Sequence, residues 1–251
     1  MPLGALSAVT VGSLLRPVAA AAALLVALSG CSDADGGDTA TQDAAAPRAS
    51  QTSQPSPVPA DLPRGKGFDF YVLALSWSPS YCLGADAGGG GQCASGRELG
   101  FVVHGLWPQF EHGYPQYCAS ALSERVTEAA GAPMLDLVPS MGLLGHMWRK
   151  HGLCAGLSQQ DFFRVTRAAR ARIAIPQVFA DSPRNLSSTA AESAFVDANP
   201  GMSRTGIAAV CKGGRLQEVR ICLTHALEFR ACREVDAAGC QAGSLAVPPP
   251  R

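Results

Sequence analysis

The chain has 251 residues, enough for one domain of ordinary size with terminal extensions. Its 20 Lys and Arg balance its 20 Asp and Glu; the first 65 residues hold three Arg and five Asp, so 17 basic and 15 acidic side chains remain from Lys66 onward. A surplus of two excludes nucleic-acid binding through bulk charge, and any grip on a polyanion must come from local placement of Arg, Lys and aromatic groups.

Arg16 precedes an apolar run from Pro17 to Leu28 that is too short to span a bilayer comfortably, so residues 1–30 read as an export signal. The run ends in Leu28-Ser29-Gly30-Cys31, which resembles the bacterial lipobox, with Cys31 as the lipidated residue and mature N-terminus. A plain signal peptide cut elsewhere is the competing reading. Lipid on Cys31 would anchor the chain through its acyl methylenes, each contributing about 0.8 kcal/mol, and the expected location is the cell envelope, facing periplasm or exterior. From Ser32 to Arg64 the composition turns to Ala, Asp, Gly, Thr, Gln, Ser and Pro, with Leu62 as the large apolar side chain. Residues 31–65 are therefore expected to be a disordered tether, residues 66–243 the folded domain, and residues 244–251 a flexible tail.

Phe68 to Trp77 is rich in aromatic and branched residues and stops before Pro79, which predicts a strand with a buried face. Gly84 to Gly96 reads as a loop, and Phe101 to Val103 as a short strand with His104 and Gly105 at its end. Leu143 to His151 is helical in composition and stops at Gly152. Ser158 and Asp161 form a capping-box pattern ahead of Phe162, Val165, Ala169 and Ile173 at helical spacing. Arg164, Arg167, Arg170 and Arg172 line the other sides of that helix, where an RNA patch and a solvated face explain them equally well. Pro176 ends it. A further helix is expected from Ser188 to Asn199. Strands are expected over Ile207–Cys211, Leu216–Leu223 and Glu228–Cys232, the first two joined by a hairpin at Lys212-Gly213-Gly214. The order lacks βαβ alternation, which predicts an α+β domain with a central, mainly antiparallel sheet flanked by helices.

Setting Cys31 aside leaves eight cysteines: 82, 93, 118, 154, 211, 222, 232 and 240. An even set in an exported chain, without a C-x-x-C pair, favours disulfides over a metal site. Short loops favour Cys82 with Cys93 and Cys222 with Cys232; spacing leaves the other pairings open.

Two segments carry chemistry, Phe101-Val102-Val103-His104-Gly105-Leu106-Trp107-Pro108 and His146-Met147-Trp148-Arg149-Lys150-His151-Gly152-Leu153-Cys154, with three of the five histidines between them. On a helix His146, Met147, Lys150 and His151 fall in one quadrant. Two imidazoles crowded with an ammonium suit an anion, because a bound phosphate relieves their mutual repulsion. The competing metal site lacks the spacing of H-E-x-x-H, and Lys150 would repel a cation, so no metal or other cofactor is expected. His112 and His225 have no motif context and read as surface or structural residues, and Trp148 as core.

These segments resemble the signatures of the ribonuclease T2 family, usually seen as HGLWP and HEWxKHGTC, and the resemblance continues in Phe68 to Pro79, Asn199-Pro200-Gly201 and Val219 to Leu223. It implies an endoribonuclease that cuts single-stranded RNA, without metal, through attack of the ribose 2′-OH on the adjacent phosphorus, leaving 2′,3′-cyclic and then 3′-phosphate ends; DNA would be spared. It implies His104 and His151 as the acid/base pair, Lys150 and His146 as the phosphate holders, and Trp107 as a base-stacking ring with Gln109 and Tyr114 beside it. A core role for Trp107 is the alternative. The same resemblance pairs Cys118 with Cys154, and Cys211 with Cys240 around Cys222–Cys232. Met147 is the departure, since the family pattern carries Glu there, and a slower enzyme is expected. A weak or inactive RNA-binding lipoprotein of the same fold is the alternative reading, and a monomer is the expected state.

Overall fold

The computed structural model describes residues 55–84, 91–180 and 184–250. In chain order its elements are β1 (Phe70–Trp77), α1 (Ser78–Cys82), β2 (Phe101–Gln109), α2 (Glu128–Gly131), α3 (Met141–Lys150), α4 (Gln159–Ala171), β3 (Arg184–Leu186), α5 (Ser188–Ala198), β4 (Ile207–Lys212), β5 (Arg215–Leu223), α6 (Arg233–Ala237) and β6 (Leu245–Val247). One sheet runs in the order β2-β1-β5-β6-β3, and β4 pairs with β5. All pairings are antiparallel except β5 with β6, so the α+β architecture expected from the element order is the one observed.

The alternation of β1 sets the two faces of the sheet. Tyr71, Leu73, Leu75 and Trp77 point into the main core, where Leu144 and Trp148 of α3, Phe162 and Val165 of α4 and Phe195 of α5 meet them. Phe70 and Val72 point the other way, with Cys222, Cys232, Trp107 and Val235 around them. The cap expected for α4 holds, with Ser158 Oγ accepting from Asp161 N at 3.1 Å and donating to its carboxylate at 2.8 Å, whereas α3 begins two residues before the expected Leu143, where Ser140 Oγ accepts from Leu143 N at 3.2 Å. The β4–β5 hairpin turns through Gly213 and Gly214, whose φ values of +58° and +71° belong to the turn type that glycine makes accessible.

β2 departs from the sequence expectation by continuing through Trp107 and Pro108 to Gln109. It lies at the end of the sheet order, where a proline without an N–H is tolerated. Its register against β1 slips between Ala74 and Leu75, which face Gly105 and Val103, so His104 is the extra residue of a β-bulge.

Three further expectations need correction. Glu228–Cys232 is no strand: among the described residues it contributes one bridge, Phe229 with Leu223, because only the short end of β5 beyond Ile221 is left open by β4. Residues 244–250 are no flexible tail, since Leu245 and Val247 are 2% and 3% exposed and Trp77 Nε1 donates to Pro248 O at 3.0 Å. A three-residue strand carries too little pattern to be read from sequence. The last residues of the expected tether also lie on the domain: Val58 and Leu62 pack against the core, and Ser56 N donates to Ala171 O at 2.9 Å. Residues 1–54, with the expected signal, Cys31 and most of the tether, lie outside the described residues.

Among the described residues four disulfides form, Cys82–Cys93, Cys118–Cys154, Cys211–Cys240 and Cys222–Cys232, the pairings favoured by short loops and by the family resemblance.

Candidate active site

Two elements supply the signature side chains. On α3 the apolar positions Leu144, Met147 and Trp148 are buried, and Trp148 is the core residue expected, its Nε1 donating to Ser123 O at 2.8 Å. The helix ends at Lys150, and His151 caps it with its N still donating to Met147 O at 3.0 Å. Gly152 is required there: a Cβ would fall 2.2 Å from the Trp148 ring. On β2 the bulge sets His104 on the same side of the strand as Trp107, and the absence of a side chain at Gly105 lets the indole fold back, a Cβ there falling 2.2 Å from Trp107 Nε1.

His104 and Trp107 thus face His146, Lys150 and His151 across a cleft of about 270 Å³, with Gln109 and Tyr114 on its wall and Met147 on its lining. Every site residue singled out from the two segments is in this cleft. The rings interlock. Trp107 stacks on His151 with centroids 5.3 Å apart and planes 24° from parallel, and it meets His104 edge-on at 5.5 Å. Tyr117, exposed and at φ +50°, is held by its N–H to Lys150 O at 2.9 Å and stands edge-on to His146 at 6.5 Å.

The electrostatics separate the imidazoles. His151 is 6% exposed; its burial, together with the charges of Lys150, His146 and His104, pushes its pKa down to about 3, so it is neutral across the physiological range. Its Nδ1 is buried without a hydrogen-bond partner among the described residues, which leaves Nε2 for a ligand. Burial also lowers His146, with Lys150, Arg149 and His104 adding to the shift. His104 is different: its side chain is 42% exposed and its Nδ1 meets the carboxylate of Glu218.

Glu218 and Arg220 are the residues that sequence reasoning missed. Both sit on β5, and Arg220 Nε donates to Glu218 Oε1 at 2.9 Å while its guanidinium lies 5.2 Å from the centre of the Trp107 ring. Burial alone would raise the Glu218 carboxyl, but the hydrogen bonds and charges of His104 and Arg220 outweigh it and hold it below the usual carboxylate range. The available signal was a pair of charged residues alternating with Val219 and Ile221 in the strand expected over Leu216–Leu223.

The Arg series of α4 is absorbed by the fold. Arg164 pairs with Asp61 and Asp161, Arg167 with Asp136, Arg170 donates to Ile173 O and Arg172 lies over Phe229. His112 is at the surface, and His225 packs on Phe68 with centroids 4.5 Å apart.

A model of the ribonuclease T2 family matches residues 68–232, which include both signature segments and β5. A ribonuclease of Aeromonas hydrophila is 47% identical over 103 residues, covering 41% of this chain and 45% of that protein; the match thus spans less than half of the relative. Two solved structures share the fold. The RNase-related protein from Calystegia sepium is 21% identical, with a TM-score of 0.58 over 74% of this chain and 100% of its own. RNase NT in complex with 5′-AMP is 23% identical, with a TM-score of 0.56 over 74% and 100%. With the family model covering well over half of the sequence, both signatures meeting in one cleft and the fold shared, the chain belongs to the ribonuclease T2 family.

Proposed function

We propose that this protein is an endoribonuclease that cleaves single-stranded RNA by transphosphorylation, with His151 and His104 as base and acid and without a metal ion. The observation that carries this reading is the meeting of the two imidazoles around Trp107, in a cleft that also holds Lys150 and His146. His151, kept neutral by burial and by neighbouring cations, takes the proton of the ribose 2′-OH as the oxygen forms its bond to phosphorus. The bond from phosphorus to the 5′-oxygen breaks, and His104, backed by Glu218, gives that oxygen its proton. Lys150 and His146 hold the phosphate and offset the charge that grows on it. A water molecule then opens the 2′,3′-cyclic phosphate to a 3′-phosphate, with the two imidazoles in exchanged roles.

Trp107, Gln109 and Tyr114 form the base-binding wall in this reading. Gln109 Nε2 donates to Pro108 O at 2.9 Å, which leaves its amide oxygen as an acceptor for a base. That the same fold holds 5′-AMP in RNase NT fits a nucleotide in such a cleft. The cation-rich lining repels a divalent metal, which supports metal independence. Four disulfides fit an oxidising compartment, and with the lipobox they support an exported chain lipidated at Cys31 and held in the cell envelope.

Met147, buried in place of a carboxylate, favours one second reading, an RNA-binding protein without turnover. Digestion of single-stranded RNA in excess EDTA decides between them. The proposal expects cleavage by the parent and a loss of about 10³-fold or more in His104→Ala; binding without cleavage supports the second reading, and activity abolished by the chelator contradicts metal independence.

A further inference from the structure

The carboxylate of Glu218 belongs to a strand that is not adjacent to the one bearing His104. β1 lies between them, with Ala74 opposite both Gly105 of β2 and Arg220 of β5, and Ser76 opposite both Val102 and Glu218. Neighbouring strands are about 4.8 Å apart, so the two partners span two strand spacings. Three features close that distance. The bulge at His104 releases its side chain from the regular pleat. Ala74 and Ser76 present little bulk on this face. A second register slip, opposite Val210 and Cys211, sets Glu218 and Arg220 on the cleft side of β5 while Leu216 and Val219 stay in the core.

We infer that Glu218 is the positioning residue of His104: its carboxylate accepts the Nδ1 proton, fixes the tautomer that leaves Nε2 for the scissile linkage, and steadies the protonated ring. The inference rests on the ribonuclease reading of this cleft and extends it to a residue outside both signature segments. Glu218 is 4% exposed, an expensive place for a carboxylate unless every lone pair has a use. One oxygen accepts from His104 and from Ser76 Oγ at 3.4 Å, the other from Arg220 Nε at 2.9 Å. Arg220 carries the support onward, since its guanidinium lies over Trp107 and Trp107 stacks on His151. One chain of contacts therefore runs from the acid through Glu218, Arg220 and Trp107 to the base. With Met147 on α3, no acidic side chain lines the main cleft among the described residues, and Glu218 is the carboxylate nearest the chemistry.

The charged and titratable groups around His104 are Glu218 and Arg220 from β5, His146 and Lys150 from α3, His151 just after it, and Tyr114 on the cleft wall, with Tyr81, Lys212 and Arg215 lining the adjoining groove. Glu218 is the anion among them, so removing its charge while keeping its shape isolates its role. In Glu218→Gln, kcat is expected to fall about tenfold to a hundredfold with KM within about threefold, and the basic limb of the pH–rate profile to move to lower pH by about one unit. Glu218→Asp, which restores the charge, is expected to return the limb toward its parental position. A Glu218→Gln enzyme with the parental kcat and limb overturns the inference. A readout that needs neither RNA nor a variant is ¹⁵N NMR of the parent, where the neutral His104 ring should carry its proton on Nδ1. A proton on Nε2 in a parent that cuts RNA overturns the positioning role alone, whereas a parent that cuts no RNA overturns the ribonuclease reading itself.

Discussion

The indole of Trp107 lies against the imidazole of His151, centroids 5.3 Å apart, while its edge meets His104. One ring therefore spaces the two imidazoles that, in the proposed mechanism, act on the same phosphate. Trp107→Phe keeps an aromatic face against His151 and should cost less than about tenfold in kcat/KM. Trp107→Ala removes the spacer and the proposed base platform, and with stacking worth about 1 to 3 kcal/mol it should cost about 10²-fold. Steady-state kinetics on a dinucleotide check this, and an alanine variant at parental rate would make the indole ordinary packing.

The depressed pKa of His151, about 3, makes a stability prediction whose sign is fixed. The unfolded imidazole takes its proton near pH 6.5, so between about pH 6.5 and 3 the unfolded chain binds more protons than the folded one. Stability from this site is complete above about pH 6.5 and falls by up to about 1.4 kcal/mol per unit as the pH drops toward 3. Glu218, also depressed, acts in the same direction at lower pH. Urea unfolding at pH 7 and pH 5 should show the loss in the parent and a flatter dependence in His151→Asn; equal slopes would show that His151 is not held neutral. For the same reason the acidic limb of kcat/KM should lie below about pH 5.

Met147 is 1% exposed and belongs to the core while also lining the cleft. A carboxylate at this position would stand one helical turn from His151 and beside Lys150. Met147→Glu should raise turnover, by up to about 10²-fold, and shift the acidic limb to higher pH because an anion there favours the protonated imidazole. Turnover that stays at the parental level would show that the missing carboxylate does not limit the enzyme.

Cys118–Cys154 joins the segment carrying Tyr117 to the turn that follows His151. Its closed loop spans a separation of 36 residues, for which the chain-entropy model gives about 4 kcal/mol. The Cys118→Ala, Cys154→Ala double variant should therefore melt at a clearly lower temperature and lose activity at temperatures where it remains folded, since Lys150 O also anchors Tyr117 N. Undiminished activity in the folded double variant would make the bridge purely a stabiliser.

Much of the fold was legible because local signals agreed with burial. The alternation in β1, the Ser158–Asp161 cap and the glycine pair of the hairpin each follow from one segment's own chemistry. What escaped depended on distant partners. β6 is three residues long and exists because β5 and β3 flank it. Glu228–Cys232 had strand composition but only the last residues of β5 to pair with. At the site, the signature segments announced His104, His146, Lys150 and His151. Glu218 and Arg220 lay hidden in an apolar strand, since two register slips and two small residues on β1 bring them to the imidazoles. The α4 arginines show the converse, a conspicuous pattern consumed by Asp61, Asp136 and Asp161.

The most direct test of the paired imidazoles is mass spectrometry of the products from an oligodeoxynucleotide containing a single ribonucleotide, in excess EDTA. The account predicts one cut, immediately 3′ of the ribose, leaving a 2′,3′-cyclic phosphate that converts to a 3′-phosphate, and no such cut with His104→Ala or His151→Ala. Cleavage at deoxyribose positions, or a 5′-phosphate product, would contradict it.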